Sequence, residues 1–396
     1  MNILYVSEYF YPRVAGGEIV SWQYCTGLAE RGHKIYVITS RMEDRPEREV
    51  IDGVEIFRPI QSASLSGDNG LLGINALYKR ASFAFKLYPI LQQFIRSHQI
   101  DLIYNVAYIP TLSAGRAASG LNIPVITGVF SICGTTWFQI ANPIIALLNY
   151  LMEIFIIKFG KHDVIHSLSN YATAKVRAQT SAKIAIIPPP VDAEEIRKVK
   201  ETADTKSIRR QLGIEGERQF LLFVGSLSPV KNVVELVTAL SSSHSNFKLV
   251  LVGEGPERHR LEDRIKKLNM GYKVLLLGQL PHAETLGLIN SCDTLIMASK
   301  TETFGIVVPE ALAMDRPVVA TPVGCVPEIS SNNVYIIRDL DEIIKVIESD
   351  LIPHTNHGAI SEYSISTVIN RLQHLCETVV IDKHNSTLPQ NPETEI

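Results

Sequence analysis

The chain has no Walker A loop, no Gly-x-Ser-x-Gly elbow and no His-Glu-x-x-His helix, so P-loop hydrolysis, serine-hydrolase chemistry and zinc-helix proteolysis are set aside. Cysteine is scarce. Cys25, Cys133, Cys292, Cys325 and Cys376 are odd in number and scattered without paired metal spacing, as expected of a reduced cytoplasmic protein with no bound metal. Neither sign of charge is in large excess: a net charge of -3 and a pI near 6.4 argue against a general nucleic-acid partner. An uninterrupted apolar run of about 20 residues, the length of a membrane span, is also missing. Phe138 to Phe159 comes nearest, but Asn142-Pro143, Asn149, Glu153 and Lys158 interrupt it, and it reads as a buried helix. The opening Met1-Asn-Ile-Leu-Tyr-Val-Ser lacks the basic start and cleavage site of a signal peptide and reads as a first strand.

What is present is a repeated alternation. The 396 residues are comfortable for two domains, each with its own core. Short apolar runs read as strands at Ile3 to Ser7, Lys34 to Thr39, Leu102 to Asn105, Val125 to Thr127, Val164 to Ser167 and Ile184 to Ile187, with helical text between several of them. The pattern restarts after the stiff Pro188-Pro189-Pro190-Val-Asp192, with strands at Phe220 to Val224, Lys248 to Val252, Val274 to Leu277, Thr294 to Ala298 and Pro317 to Ala320. That order predicts an α/β chain of two doubly wound, Rossmann-like domains, residues 1–187 and 192–365, facing each other across a cleft. Ligands in such sheets bind outside the carboxyl ends of the strands. Gly16-Gly17, Gly225 to Lys231, Gly253 to Pro256 and Glu302 all fall there.

The most informative stretch is Ser299-Lys-Thr-Glu302-Thr-Phe-Gly305-Ile-Val-Val-Pro-Glu310, which sets two carboxylates across a strand-loop-helix junction. A helix is expected over Gly305 to Met314, its first turn tolerating Pro309. The amides near Phe304, Gly305, Ile306 and Val307 suit an anion such as a diphosphate. An ionised carboxylate only accepts hydrogen bonds, so Glu310 suits a diol such as a ribose and Glu302 the hydroxyls of a sugar. Two glutamates at this spacing are common in capped helices, and the flanking text decides between the readings. Glu302-x7-Glu310 is followed by Arg316-Pro-Val-Val-Ala-Thr321-Pro-Val-Gly324-Cys-Val-Pro-Glu328 and preceded by Phe223-Val-Gly225-Ser-Leu-Ser-Pro-Val-Lys231-Asn and Val252-Gly253-Glu254-Gly255-Pro256. The other half offers Tyr9-Phe-Tyr-Pro12-Arg-Val-Ala-Gly16-Gly17-Glu18 and Leu28-Ala-Glu-Arg-Gly32-His33.

Together these motifs resemble the signature of family-4 glycosyltransferases, retaining enzymes of the GT-B fold, over nearly the whole chain. The resemblance implies transfer of a sugar from a nucleotide-diphosphate sugar to a hydroxyl acceptor, with no cofactor and no obligatory metal. It implies Lys231 on the diphosphate with Ser226 beside it, and Glu302 and Lys231 as the residues on which catalysis rests. The glycine loop Gly16-Gly17 would lie beside donor and acceptor. The acceptor side would belong to the N-terminal domain, with a helix over about 366–382 crossing back onto it and residues 383–396 a disordered tail.

Three departures stand out. After Gly225 the family usually places an arginine, and here Ser226 offers one neutral hydrogen bond in place of a bidentate fork, a difference of about 1.5–3 kcal/mol. The histidine common after the fourth strand is replaced by Gly128-Val-Phe-Ser-Ile-Cys133, and Pro188-Pro189-Pro190 stands where an asparagine-glycine turn is more frequent. Of the histidines, His33, His162, His166 and His282 read as structural. Gly253-Glu-Gly255-Pro-Glu-Arg258 opens like a dinucleotide fingerprint but has Arg258 at the third glycine position, and reads as a turn of the fold.

Residues 1–187 hold 17 basic against 13 acidic side chains and the remainder 21 against 28. Tyr78 to Tyr88 mixes basic and aromatic residues, as interfacial helices do. A glycan or lipid-linked acceptor and peripheral contact at the inner face of a membrane fit that asymmetry; a solvated helix face fits it as well. Gln61 to Gly70 has the composition of a lid or of a plain surface loop. The same fold also serves nucleotide-sugar epimerases and phosphorylases, and Ser226 with the missing histidine would suit a nucleotide-sugar-binding protein without catalysis.

Overall fold

The computed structural model describes all residues except 13–15, 62–73, 107, 215, 217, 350–360 and 387–396. The segment from Gln61 to Gly70 therefore lies outside the described residues, apart from Gln61 itself.

Two sheets account for the strands. The first contains β1 Asn2–Val6, β2 Lys34–Arg41, β3 Arg48–Ile51, β4 Val54–Gln61, β5 Leu102–Val106, β6 Val125–Val129, β7 Val164–Ser167 and β8 Lys183–Ile186, in the order β3-β4-β2-β1-β5-β6-β7-β8. The second contains β9 Gln219–Val224, β10 Phe247–Val252, β11 Val274–Gly278, β12 Thr294–Met297, β13 Val318–Ala320 and β14 Val334–Ile336, in the order β11-β10-β9-β12-β13-β14. Every pairing is parallel except that of β3 with β4. Central strands such as β1, β5 and β9 are buried nearly end to end, because helices cover both faces. In each sheet the strand order reverses beside its first strand, β1 or β9, which opens a crevice at the carboxyl ends.

Two strand sets were not legible as runs. The β3–β4 hairpin turns on Asp52 (φ +46°) and Gly53 (φ +78°), the left-handed pair that a two-residue hairpin needs. Three-residue β14 is too short to give a periodic signal.

The helix over Phe138 to Phe159 corrects the expectation of burial. It divides into Trp137–Ile140 and Pro143–Phe159, the second N-capped by the Asn142 side chain on Ile145 N at 3.0 Å. Its outward face, including Ile144, Leu151, Phe155 and Phe159, is exposed.

The C-terminal helix Ile365–Asn385, capped by Ser364, crosses from the second sheet to the first. It runs to Asn385, three residues past the expected end at Asp382, so 383–385 are helix and not tail; 387–396 lie outside the described residues. Val368, Ile369, Leu372, Cys376 and Val379 fill the core shared with Tyr24, Cys25 and Leu28 of the helix Gly16–Glu30. A Cβ on Gly27 would come within 2.7 Å of the Ile369 side chain, so the two helices approach more closely than any larger residue allows.

Leu372→Ala should cost about 2–5 kcal/mol in a urea melt, the usual range for emptying a buried leucine site. A loss under about 1 kcal/mol would show that this helix contributes little to the N-terminal core.

Candidate functional site

Three turns at the carboxyl ends of β9, β10 and β12 build the site. Beyond β9 the chain passes Gly225 and Ser226, closes a turn with Lys231 N donating to Ser228 O (2.9 Å), and enters a helix at Val233 through left-handed Asn232. The stem of Lys231 lies across Gly225, where a Cβ would sit 3.6 Å from Lys231 Cε. Beyond β10, a Cβ on Gly253 would stand 1.9 Å from Gly225 O, and one on Gly255 would stand 2.4 Å from Leu227 O. The apparent dinucleotide glycines thus allow one turn to lie against another.

The third turn carries Glu302. Lys300 N donates to Val230 O (2.8 Å), tying it to the lysine turn. Thr321 Oγ1 donates to Ser299 O (2.6 Å) and Cys325 N to Phe304 O (2.7 Å), tying it to the turn beyond β13. Gly324 has φ +63°, and its Cβ would meet Phe304 O at 2.2 Å. So held, Glu302 forms an ion pair with Lys231 Nζ through Oε1, which also accepts from Ser299 Oγ at 2.8 Å. The two side chains are only 12% and 25% exposed, which shields the pair from much of the screening that makes surface pairs weak.

The helix after Glu302 is shorter than expected, Val307–Ala313, with Ile306 at its cap position. Gly305 turns at φ +87°. The Phe304 side chain is buried against Tyr363, with ring centroids 5.6 Å apart, so only its backbone is left for a ligand. Ile306 packs against the N-terminal core.

Glu310 is buried on this helix, and His282 Nε2 lies 3.0 Å from its Oε1. The other ring nitrogen, Nδ1, lies 3.1 Å from Glu195 Oε2. A ring between two carboxylates is protonated on both nitrogens. The hydrogen bond to Glu310 is the main cause, opposed by burial and assisted by the charges of Glu310 and Glu195, and together they push His282 up to about 9. His282 had not been separable from the other histidines. Its place at the start of the helix after β11, the carboxyl end of a parallel strand, was the available signal. His166, by contrast, is buried against Ile187 O at 2.8 Å and pushed down to about 4 by desolvation, a neutral core residue as expected.

The glutamate turn also meets the first sheet. Ser169 Oγ donates to Thr303 O (2.6 Å) and Thr303 Oγ1 to Phe130 O (2.8 Å). Lys175 Nζ donates to Cys133 O (3.1 Å) and to Thr301 Oγ1 (2.5 Å), next in sequence to Glu302. Lys175 thus brings a second ammonium to the cleft, held by neutral oxygens. No sequence signal marked it, since its partner lies 126 residues away. Ser226 faces only a hydroxyl here, Ser228 Oγ at 3.0 Å. Gly16 and Gly17 open the first long helix, exposed, with open space where a Cβ would stand.

Two doubly wound domains, the second carrying a lysine–glutamate pair at the carboxyl ends of its strands, make up the GT-B fold. A family model described as "Glycosyltransferase Family 4" matches residues 14–195, and one described as "Glycosyl transferases group 1" matches residues 204–349. The chain belongs to the family-4 glycosyltransferases. It is 22% identical over 364 residues to the GPI3 subunit of phosphatidylinositol N-acetylglucosaminyltransferase of Saccharomyces cerevisiae, covering 90% of this chain and 74% of that one. It is 24% identical over 326 residues to N-acetyl-alpha-D-glucosaminyl L-malate synthase of Bacillus anthracis, covering 81% and 79%. Among solved structures it resembles HepE of Anabaena in complex with UDP and glucose, at a TM-score of 0.71 and 18% identity, covering 96% and 100%.

Because the folded His282 pKa is raised, its stabilisation is complete below the ordinary value of 6.5 and is lost as pH rises through about 9. His282→Gln should therefore be less stable than the parent at pH 6, with the gap closing above pH 9. A gap independent of pH would show that the pair does not carry the charge. Gly253→Ala should destabilise by a few kcal/mol or more, read as a fall in melting temperature, since its Cβ has nowhere to go.

Proposed function

We propose that the protein transfers a sugar with retention from a nucleotide-diphosphate sugar to a hydroxyl acceptor, without a metal. The observation that carries this reading is the Lys231–Glu302 pair at the mouth of the cleft. A donor diphosphate would take Lys231 from Glu302 and leave that carboxylate to accept from the hydroxyls of the departing sugar. Backbone amides of Gly305 to Val307 would add neutral donors to the phosphates. Glu310, with Oε1 on His282, would offer Oε2 to a ribose hydroxyl.

Lys175 supports metal-free turnover because it supplies a second positive charge close to the leaving group, partly in place of the arginine that Ser226 replaces. The acceptor would enter from the N-terminal side, past Gly16 and Gly17. Its hydroxyl oxygen would form the new bond to the anomeric carbon as the bond to the diphosphate breaks. Its proton would pass to the leaving phosphate oxygen on the same face of the sugar, so no protein nucleophile is required. UDP is the first nucleotide to try, given the UDP complex of the Anabaena protein, and the yeast relative's name motivates a lipid-linked hydroxyl as acceptor. A site of action at the inner face of a membrane follows from that acceptor.

The test is thermal stabilisation by UDP-, GDP- and ADP-sugars, then turnover of each hit with and without chelator and the anomeric configuration of the product. Glu302→Gln and Lys231→Ala should each lower kcat by about 10²–10³-fold with the fold intact, and Lys175→Met by about tenfold or more. Near-parental turnover in the first two variants, or an inverted product, would sink the reading.

A further inference from the structure

The helix Pro143–Phe159 carries its polarity inside out. Glu153 and Asn149 point into the protein. The Glu153 carboxylate accepts from Cys133 N (3.1 Å), Gly134 N (2.8 Å), Trp137 Nε1 (3.1 Å) and Gln179 Nε2 (3.1 Å), so the inward charge is well satisfied. The outward stripe is apolar: Ile144, Leu147, Leu148, Leu151 and Phe155 follow one another at helical spacing, and Phe159 ends the row. Ile144 is 74% exposed, Phe159 60%, and Leu151 and Phe155 51% each. With Phe138 from the short helix before it, and allowing about 150–250 Å² for a large apolar side chain, roughly 700 Å² is left bare, above the 300–600 Å² of the largest patch on an ordinary monomer.

The described charges that lie on or beside this face are lysines, and the helix's own acid, Glu153, is buried on the inward side. Lys158 is exposed at the end of the apolar row, and Lys161 follows the helix, donating to Ser119 Oγ. On the helix Ile74–His98, joined to this one through the helix Tyr108–Ala118, Phe85 is 84% exposed beside exposed Lys86. Among the described residues no helix is long and apolar enough to cross a membrane. An apolar stripe rimmed by lysine on a helix that cannot span fits a helix lying in the plane of an anionic interface.

We propose that the outward face of Trp137–Phe159 docks onto an anionic lipid bilayer, its leucine and phenylalanine side chains seated at the headgroup–acyl boundary and its lysines on the phosphates. The inward side of the same helix leads to the site. Glu153 holds the amides of Cys133 and Gly134, Cys133 O accepts from Lys175, and Lys175 reaches Thr301 beside Glu302. A protein seated this way has the docked helix joined to the Glu302 turn by that chain of hydrogen bonds. The docking itself does not rest on the transferase reading, because it is read without any donor or acceptor.

Sedimentation with vesicles tests it, comparing phosphatidylcholine alone with phosphatidylcholine containing phosphatidylglycerol. The parent should bind the mixed vesicles and bind the neutral ones at least about tenfold more weakly. Leu151→Glu/Phe155→Glu should lose at least about tenfold in partition while melting like the parent, because both positions face solvent. Lys158→Glu should weaken binding to the mixed vesicles alone. Tyr272→Glu, at an exposed aromatic of the second domain, should leave it unchanged within about twofold. Hydrolysis of donor by water in the vesicle-free double variant should equal the parent's, which separates loss of docking from failure of the transferase reading. Three results would overturn the proposal: no binding to either vesicle, an equal loss in the Tyr272 variant, or a parental dimer that the double variant dissolves, which would assign the face to a second copy.

Discussion

Everything at the cleft depends on how closely the turns beyond β9, β10, β12 and β13 lie on one another. A Cβ at Gly253 would overlap the Gly225 carbonyl, one at Gly255 the Leu227 carbonyl, and one at Gly324 the Phe304 carbonyl. These are backbone-to-backbone approaches, which no side-chain rotation relieves. The amides then bind across the gaps: Leu227 N to Glu254 O, Lys300 N to Val230 O, Cys325 N to Phe304 O. Lys231 and Glu302, separated by 71 residues, are brought into contact by that packing.

The electrostatic arrangement follows from it. Three carboxylates of the second domain each have a cation: Glu302 has Lys231, and Glu310 and Glu195 share His282. Leaving any of them unpaired at such depth would cost several times what an exposed pair contributes. On the proposed reading, a diphosphate exchanges partners without stranding a charge. Lys231 moves to phosphate, and the released Glu302 turns to the sugar, so the two ends of the donor reinforce each other. Glu310 is different, because His282 stays and fixes the carboxylate from behind. Lys175, bound to neutral oxygens, exchanges at the least cost of the three cations.

The alternation of strands and helices, the GT-B architecture and the carboxylate block were legible because each rests on local text. Apolar runs of four to six residues mark β1, β5, β9 and β10, and Gly253 and Gly324 mark turns that no other residue can make. Lys175 was illegible for the opposite reason: its partner Thr301 stands 126 residues away, and no pattern within one helix announces it. His282, whose partners Glu310 and Glu195 stand 28 and 87 residues away, offered only its place after β11. The helix Pro143–Phe159 misled because its composition is that of a core helix. Only the tertiary fold decides which face turns inward, and here Glu153 does, since its loop of amides and an indole N–H replaces the water it gives up.

The turn that carries Glu302 is also the seam between the two sheets, and this joins domain movement to chemistry. Thr301, Thr303 and Ile306 bracket Glu302 and each meets the N-terminal half: Thr301 through Lys175, Thr303 through Phe130 O and Ser169, Ile306 through the shared core. Glu328, two turns along, accepts from Asn170 Nδ2 and Tyr171 N at the start of the same helix that carries Lys175. A rotation that opened the cleft would break these bonds together, withdraw Lys175 from beside Glu302 and leave Thr303 without its partners. The closed arrangement is therefore the one in which Lys231 pairs with Glu302 while Lys175 holds Thr301, the residue before it. Lys175 is tied through Cys133 O to the loop that Glu153 holds, so the outer helix meets the cation through that loop as well as the first sheet through Ile157, which packs with Val129 and Ile165.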